Sequence, residues 1–141
     1  MERRHVVLDT NVFVAAGFNP RSASAWLLQA VRDGRLRMAW SEQTRHETER
    51  IVRKIPPLRH TRLDDLFRDE DRWTDMTHPE RFEFVPDPDD RKFAALAEAA
   101  GAVLVTDDDH LLAVRDRIDT DVLPPREAEA RFRGTHASHK E

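Results

Sequence analysis

The order of apolar segments predicts a three-layer α/β fold, a central parallel sheet of four to five strands with helices on both faces. Three observations predict it. Short runs rich in Val and Leu alternate with longer segments whose apolar residues recur at helical spacing. Ser, Asp and Gly stand where those segments should start and stop. The chain has 141 residues, enough for one domain whose core buries about 68–70% of the unfolded chain's surface.

Residues 5–9, His-Val-Val-Leu-Asp, read as a buried strand that runs straight into an acid. Residues 22–33 read as a helix with Leu27, Ala30 and Val31 on one face and Gly34 as its stop. Residues 36–40 form a short second strand. Ser41 can cap the next helix, in which Ile51 and Val52 are apolar and which Pro56-Pro57 must terminate. The spacing of Leu63, Leu66, Phe67 and Trp73 predicts a helix over residues 58–76, broken by His78-Pro79, and residues 82–85 then read as a third strand.

Pro86-Asp87-Pro88-Asp89-Asp90 is a turn that opens a helix with Phe93, Leu96, Ala97 and Ala100 on one face and Gly101 at its end. Residues 102–106 read as a fourth strand, 108–114 as a short helix, 122–123 as a small edge strand and 124–132 as a final helix. Residues 1–133 are thus expected to make one domain and 134–141 a flexible tail, with His136 and His139 there as tail composition and not as a metal site.

Composition narrows the function classes. No apolar run approaches the roughly 18 residues of a membrane span, and Met-Glu-Arg-Arg-His lacks the apolar stretch of a secretory signal, so a cytoplasmic protein is expected. There are no cysteines, so any metal must be held by oxygen or imidazole. The net charge of -4 is unevenly spread. Residues 32–62 hold nine Arg or Lys against four acids, whereas residues 64–90 hold eleven acids against three Arg. Such runs are first of all solvated helix faces, but a basic stretch of this kind can also meet a polyanion.

Four acids have addresses that suggest chemistry. Asp9 ends the first strand, Glu47 lies early in the second helix, Asp90 starts the helix after the expected third strand, and Asp108 follows the fourth. Each has a plain structural reading. Asp9 can cap a turn, Glu47 can pair with Arg50 or Arg53, Asp89 or Asp90 can cap a helix, and Asp107, Asp108 and Asp109 can be a loop cluster. Together they are harder to dismiss, because open α/β sheets bind their ligands outside the carboxyl ends of the strands. Carboxylates meeting there repel one another unless a hard cation sits between them.

The segments Val6-Val7-Leu8-Asp9-Thr10-Asn11-Val12, Ser41-Glu42-Gln43-Thr44-Arg45-His46-Glu47, Pro86-Asp87-Pro88-Asp89-Asp90-Arg91-Lys92-Phe93 and Gly101-Ala102-Val103-Leu104-Val105-Thr106-Asp107-Asp108-Asp109-His110-Leu111-Leu112 resemble, in order and spacing, the PIN domain. That family consists of small α/β metal-dependent ribonucleases and includes the toxins of many bacterial toxin-antitoxin pairs. The resemblance spans residues 6–123, and its first and last segments are the specific ones. It implies an acidic quartet of Asp9, Glu47, Asp90 and Asp108 around one or two Mg²⁺ or Mn²⁺ ions, with Asn11 and Thr106 as polar support. Asp107 stands where Gly is frequent in the family and His110 where another acid often appears. Asp107 is therefore an alternative ligand, and His110 either bonds a phosphate or packs.

Oxygen-only ligands suit a hard octahedral cation that can activate water against a phosphodiester. Single-stranded or looped RNA is the expected substrate, with residues 32–62 offering Arg and Lys54 to flanking phosphates. A small antitoxin and a homodimer are the partners the resemblance implies, with Trp26 and Trp73 as interface or core residues. Asp9-Thr10-Asn11 lacks the Asp-x-Asp pair expected of a phosphatase, no lysine follows a later strand as a receiver domain would have, and no His-x-x-x-His pair offers a zinc site. The remaining rival is a PIN-like module that binds RNA or protein without cleaving.

Overall fold

The computed structural model describes residues 4–138. Four short strands, β1 (His5–Leu8), β2 (Arg37–Met38), β3 (Val103–Val105) and β4 (Val122–Leu123), form one all-parallel sheet in the order β2-β1-β3-β4. Alternation along the strands sends side chains into two separate cores. Val6, Leu8 and Val105 pack under α1 (Thr10–Phe18), α2 (Ala23–Arg32) and α6 (Pro125–Ser138), while Val7 and Leu104 pack under α4 (Pro88–Ala100) and α5 (Asp109–Ala113). The fold is therefore the expected three-layer α/β arrangement. Helix α3 (Glu42–Arg53) lies against α1 and α4, across the carboxyl ends of the strands.

Caps explain most of the helix starts. Ser22 accepts from the Ala25 N–H, Ser41 and Thr44 form a reciprocal capping box, and Asp87 and Asp108 cap α4 and α5. Gly101 closes α4 in the left-handed region at φ 66°, where a Cβ would be strained.

Three elements differ from expectation. Helix α1 follows β1 at once, in a stretch apolar nearly all round, Val12-Phe13-Val14-Ala15-Ala16, which carries no polar stripe to betray its period. Residues 58–76 do not form a helix. Three single 3₁₀ turns, Pro56–Leu58, Asp64–Leu66 and Asp69–Asp71, bury Leu58, Leu63, Leu66 and Phe67 instead. Spacing of i and i+3 serves a 3₁₀ turn as well as a helix, and the Asp residues here favour turns. Residues 82–85 are not a strand either. Pro79–Phe82 is a 3₁₀ helix, Val85 N–H donates to the Phe82 carbonyl, and the Arg91 guanidinium ties the Val85 and Glu83 carbonyls to α4. Phe82 and Val85 are buried without a sheet, so the sheet has four strands.

Helix α6 extends into the stretch expected as a tail, and His139 lies outside the described residues. Among the described residues, no helix is long and apolar enough to cross a membrane.

Candidate active site

The strand order places a crevice between β1 and β3, because the chain leaves β1 for β2 on one side and reaches β3 on the other. Asp9 and Asp108 emerge beside each other from the carboxyl ends of these two strands. Asp9 is 3% exposed, and its N–H continues the sheet by donating to the Val105 carbonyl at 3.0 Å. The fully buried Thr106 hydroxyl donates to Asp9 Oδ2 at 2.6 Å and accepts the Asp108 N–H at 3.1 Å. One hydroxyl thus fixes both junctions. Burial pushes the Asp9 carboxyl up, against the opposing effect of Thr106 and the Asn11 and Thr10 amides, and the Asp108 charge pushes it further.

Asp108 caps α5 through Oδ1, which accepts from the His110 and Leu111 N–H groups at 2.8 and 3.1 Å. Asp90 arrives from the first turn of α4 rather than from a strand end. Its Oδ2 is buried and has no hydrogen-bond partner. Burial first, then the charges of Asp9 and Asp108, and then Asp87 and Asp89, push its carboxyl up to about 7. A half-buried carboxyl with an orphaned oxygen facing two other acids needs either a proton or a cation.

Glu47 comes from the middle of α3 and faces the same cleft, but it is not alone. Arg50 Nη2 lies 3.1 and 3.2 Å from its two oxygens and Lys92 Nζ lies 3.5 Å from Oε1. Burial acts to raise the Glu47 carboxyl, and Arg50 and Lys92 together outweigh it, so that it titrates below its ordinary value. The Thr10 and Thr48 hydroxyls, 2.9 Å apart and buried, pin α3 to the start of α1 and so set the height of Glu47 over Asp9.

The four acids expected from sequence, Asp9, Glu47, Asp90 and Asp108, line one cleft of about 200 Å³ with Asn11. Thr10, Ile51 and Phe93 complete its walls, and Asp87 and Asp89 stand at its edge. Asp107 is exposed and does not line it, and His110 is exposed with Nδ1 3.7 Å from Asp108 Oδ1. His110 therefore does not pack into the core. Lys92 and Thr48 were not foreseen. They lie 45 and 38 residues from their partners Glu47 and Thr10, and no local pattern marks such pairs.

Among the described residues, no group of three or more His, Asp or Glu side chains is arranged to hold a metal ion as it stands. Glu47 is engaged by Arg50 and Lys92, and Asp108 Oδ1 by two amides. The donor chemistry nonetheless suits a hard cation, since every acid in the cleft offers oxygen and Asp90 Oδ2 has no other partner.

A family model described as PIN domain matches residues 5–110, from β1 into α5, an interval that contains all four acids. No curated protein sequence matches the chain. With about three quarters of its length matched, the chain belongs to the PIN domain family, whose fold is of nuclease type.

Proposed function

We propose that the protein is a divalent-metal-dependent endoribonuclease that hydrolyses RNA phosphodiester bonds in the cleft of Asp9, Glu47, Asp90 and Asp108. The observation that carries this reading is the buried, unpartnered Asp90 Oδ2, set where Asp9 and Asp108 both repel its charge. A bound Mg²⁺ or Mn²⁺ would remove that repulsion, polarise a phosphate oxygen and make a water nucleophilic near neutral pH.

The chain's own residues supply the frame. Thr106 holds one oxygen of Asp9 and so fixes the direction of the carboxylate. The cap bonds of Asp108 do the same for that acid. Asp90 would release its proton to solvent when a cation binds, and Asn11 offers an exposed amide at the mouth of the cleft. Glu47, tied to Arg50 and Lys92, suits contact with a metal-bound water better than direct ligation. The Thr10–Thr48 contact fixes the helix that carries Glu47 against α1. A cation held by these acids would supply an activated water for attack on phosphorus, with the leaving oxygen taking a proton from solvent, and a strand without secondary structure can enter the cleft most easily.

Glu47's two cationic partners also favour a second reading, a PIN domain that binds RNA and does not cleave, because they offset part of the charge a metal would meet. Cleavage of end-labelled structured and single-stranded RNAs in Mn²⁺, Mg²⁺ or EDTA separates the two. Cutting that needs metal and is lost in Asp9→Asn supports the nuclease; tight RNA binding with no cutting under any metal supports the silent module.

The toxin role, a small antitoxin partner and a homodimer belong to the same proposal and rest on family membership. Light scattering over a wide concentration range tests the dimer, and co-purification with the product of a neighbouring short reading frame tests the antitoxin.

A further inference from the structure

Beside the acid cleft lies a second, larger pocket of about 580 Å³, with Gln43, Trp73, Thr74, Asp75, Thr77 and Lys92 in its walls. Its volume is in the range of small-ligand sites. The two cavities share a boundary. Lys92 lines the larger one and reaches Glu47 of the acid cleft at 3.5 Å. Gln43 and Glu47 are four residues apart on one face of α3, about 6 Å along the helix. A group seated against Gln43 is therefore within about one nucleotide's length of the acid cleft that Glu47 lines.

The lining argues for a flat, neutral, hydrogen-bonding ligand. Its cations are already neutralised, Arg72 by Glu42 at 2.7 Å and Lys92 by Glu47 and Asp89, so the pocket does not call for an anion. Trp73 is half-buried and presents an aromatic ring in the wall. Among the described residues, the side chains of Gln43, Thr74 and Thr77 make no hydrogen bond within the protein, and Asp75 makes no ion pair. An amide, two hydroxyls and a carboxylate around an aromatic ring supply both donors and acceptors for the edge of a base.

We propose that this pocket is a nucleobase subsite that holds the RNA base next to the cleaved phosphodiester, with Trp73 as the stacking surface and Gln43 reading the base edge. The proposal rests on the ribonuclease reading for its substrate. It explains why an aromatic side chain and unpaired polar groups are gathered one helical turn from the acids. It also gives the site a source of sequence preference that the acid cleft, which touches only phosphate and water, does not contain.

The test measures binding, not cleavage. Fluorescent oligoribonucleotides, each with one abasic nucleotide at a successive position, are titrated in Mg²⁺ into full-length Asp9→Asn protein, with and without Trp73→Leu. Stacking on Trp73 predicts about tenfold weaker binding of the intact oligonucleotide by the Trp73→Leu protein. The oligonucleotide abasic at the matching position should bind equally to both. Equal effects of Trp73→Leu on every oligonucleotide, or no RNA binding by the parent protein, overturn the subsite. Gln43→Ala, at an exposed position, gives the same comparison without touching the core: it should alter preference among the four bases at that position, and unaltered preference counts against the assignment. The ribonuclease reading has a separate readout in wild type. Cleavage without coupling between Trp73 and the abasic position leaves the nuclease standing and removes the subsite, whereas coupling without cleavage leaves the subsite in a silent RNA-binding domain.

Discussion

Thr106 and Asp9, 97 residues apart in sequence, are joined by a 2.6 Å hydrogen bond in which the fully buried Thr106 hydroxyl donates to Asp9 Oδ2. The Thr106 hydroxyl oxygen in turn accepts from the Asp108 N–H, so that the ends of β1 and β3 and two acids of the cleft depend on one side chain.

Thr106→Val keeps the shape of this side chain and removes both bonds. A hydrogen bond to a charged group contributes about 1.5–3 kcal/mol, and the loss at pH 7 is expected in that range. Urea unfolding should show a lower midpoint with an unchanged slope. An unchanged midpoint would show that the two bonds of Thr106 contribute no net stability.

Asp90 makes stability depend on pH in a stated direction. Its folded-state carboxyl titrates at about 7 against an ordinary 3.8, so its contribution is complete below about pH 4 and is lost as pH rises through 7. Asp9 is raised and acts in the same sense, while Glu47 is lowered and loses its contribution as pH falls. In EDTA, thermal melts should therefore show Asp90→Asn gaining on wild type between pH 5 and pH 8. Mn²⁺ should raise the melting temperature of wild type more at pH 8 than at pH 5, and Asp90→Asn should cancel most of that difference.

Lys92→Met removes one of the two cations that hold Glu47. Mn²⁺ affinity should rise several-fold, because a positive charge leaves the neighbourhood of the cation, and the gain should shrink as ionic strength increases. Titration calorimetry at low and high salt measures both. Affinity that stays the same at low salt would place Glu47 outside the metal's reach.

The strands, the Ser41 cap and the four cleft acids were legible because each leaves a local mark, whereas Asp87 and not Asp89 or Asp90 caps α4. Val6-Val7-Leu8 and Val103-Leu104-Val105 are β-branched and Leu-rich runs of strand length, and Ser41 precedes helical periodicity. Helix α1 was not legible, since Val12, Phe13 and Val14 carry no polar face and extend the look of β1. The expected strand over residues 82–85 and helix over 58–76 came from apolar spacing that is real burial, at Phe82, Val85, Leu63, Leu66 and Phe67, achieved by turns. The clamp of Arg50 and Lys92 on Glu47 was half visible. Arg50 is a helical neighbour at i+3, whereas Lys92 meets Glu47 only through the packing of α4 on α3.

The most direct test of the acid cleft as a cation-dependent site is a Mn²⁺ titration of metal-free wild type beside Asp9→Asn and Asp90→Asn, with folding of each checked by circular dichroism. The structure predicts saturable binding by wild type, weakened at least tenfold in both variants, with proton release near pH 7 that Asp90→Asn abolishes. Binding of equal strength in all three proteins, or none in wild type, would contradict the site.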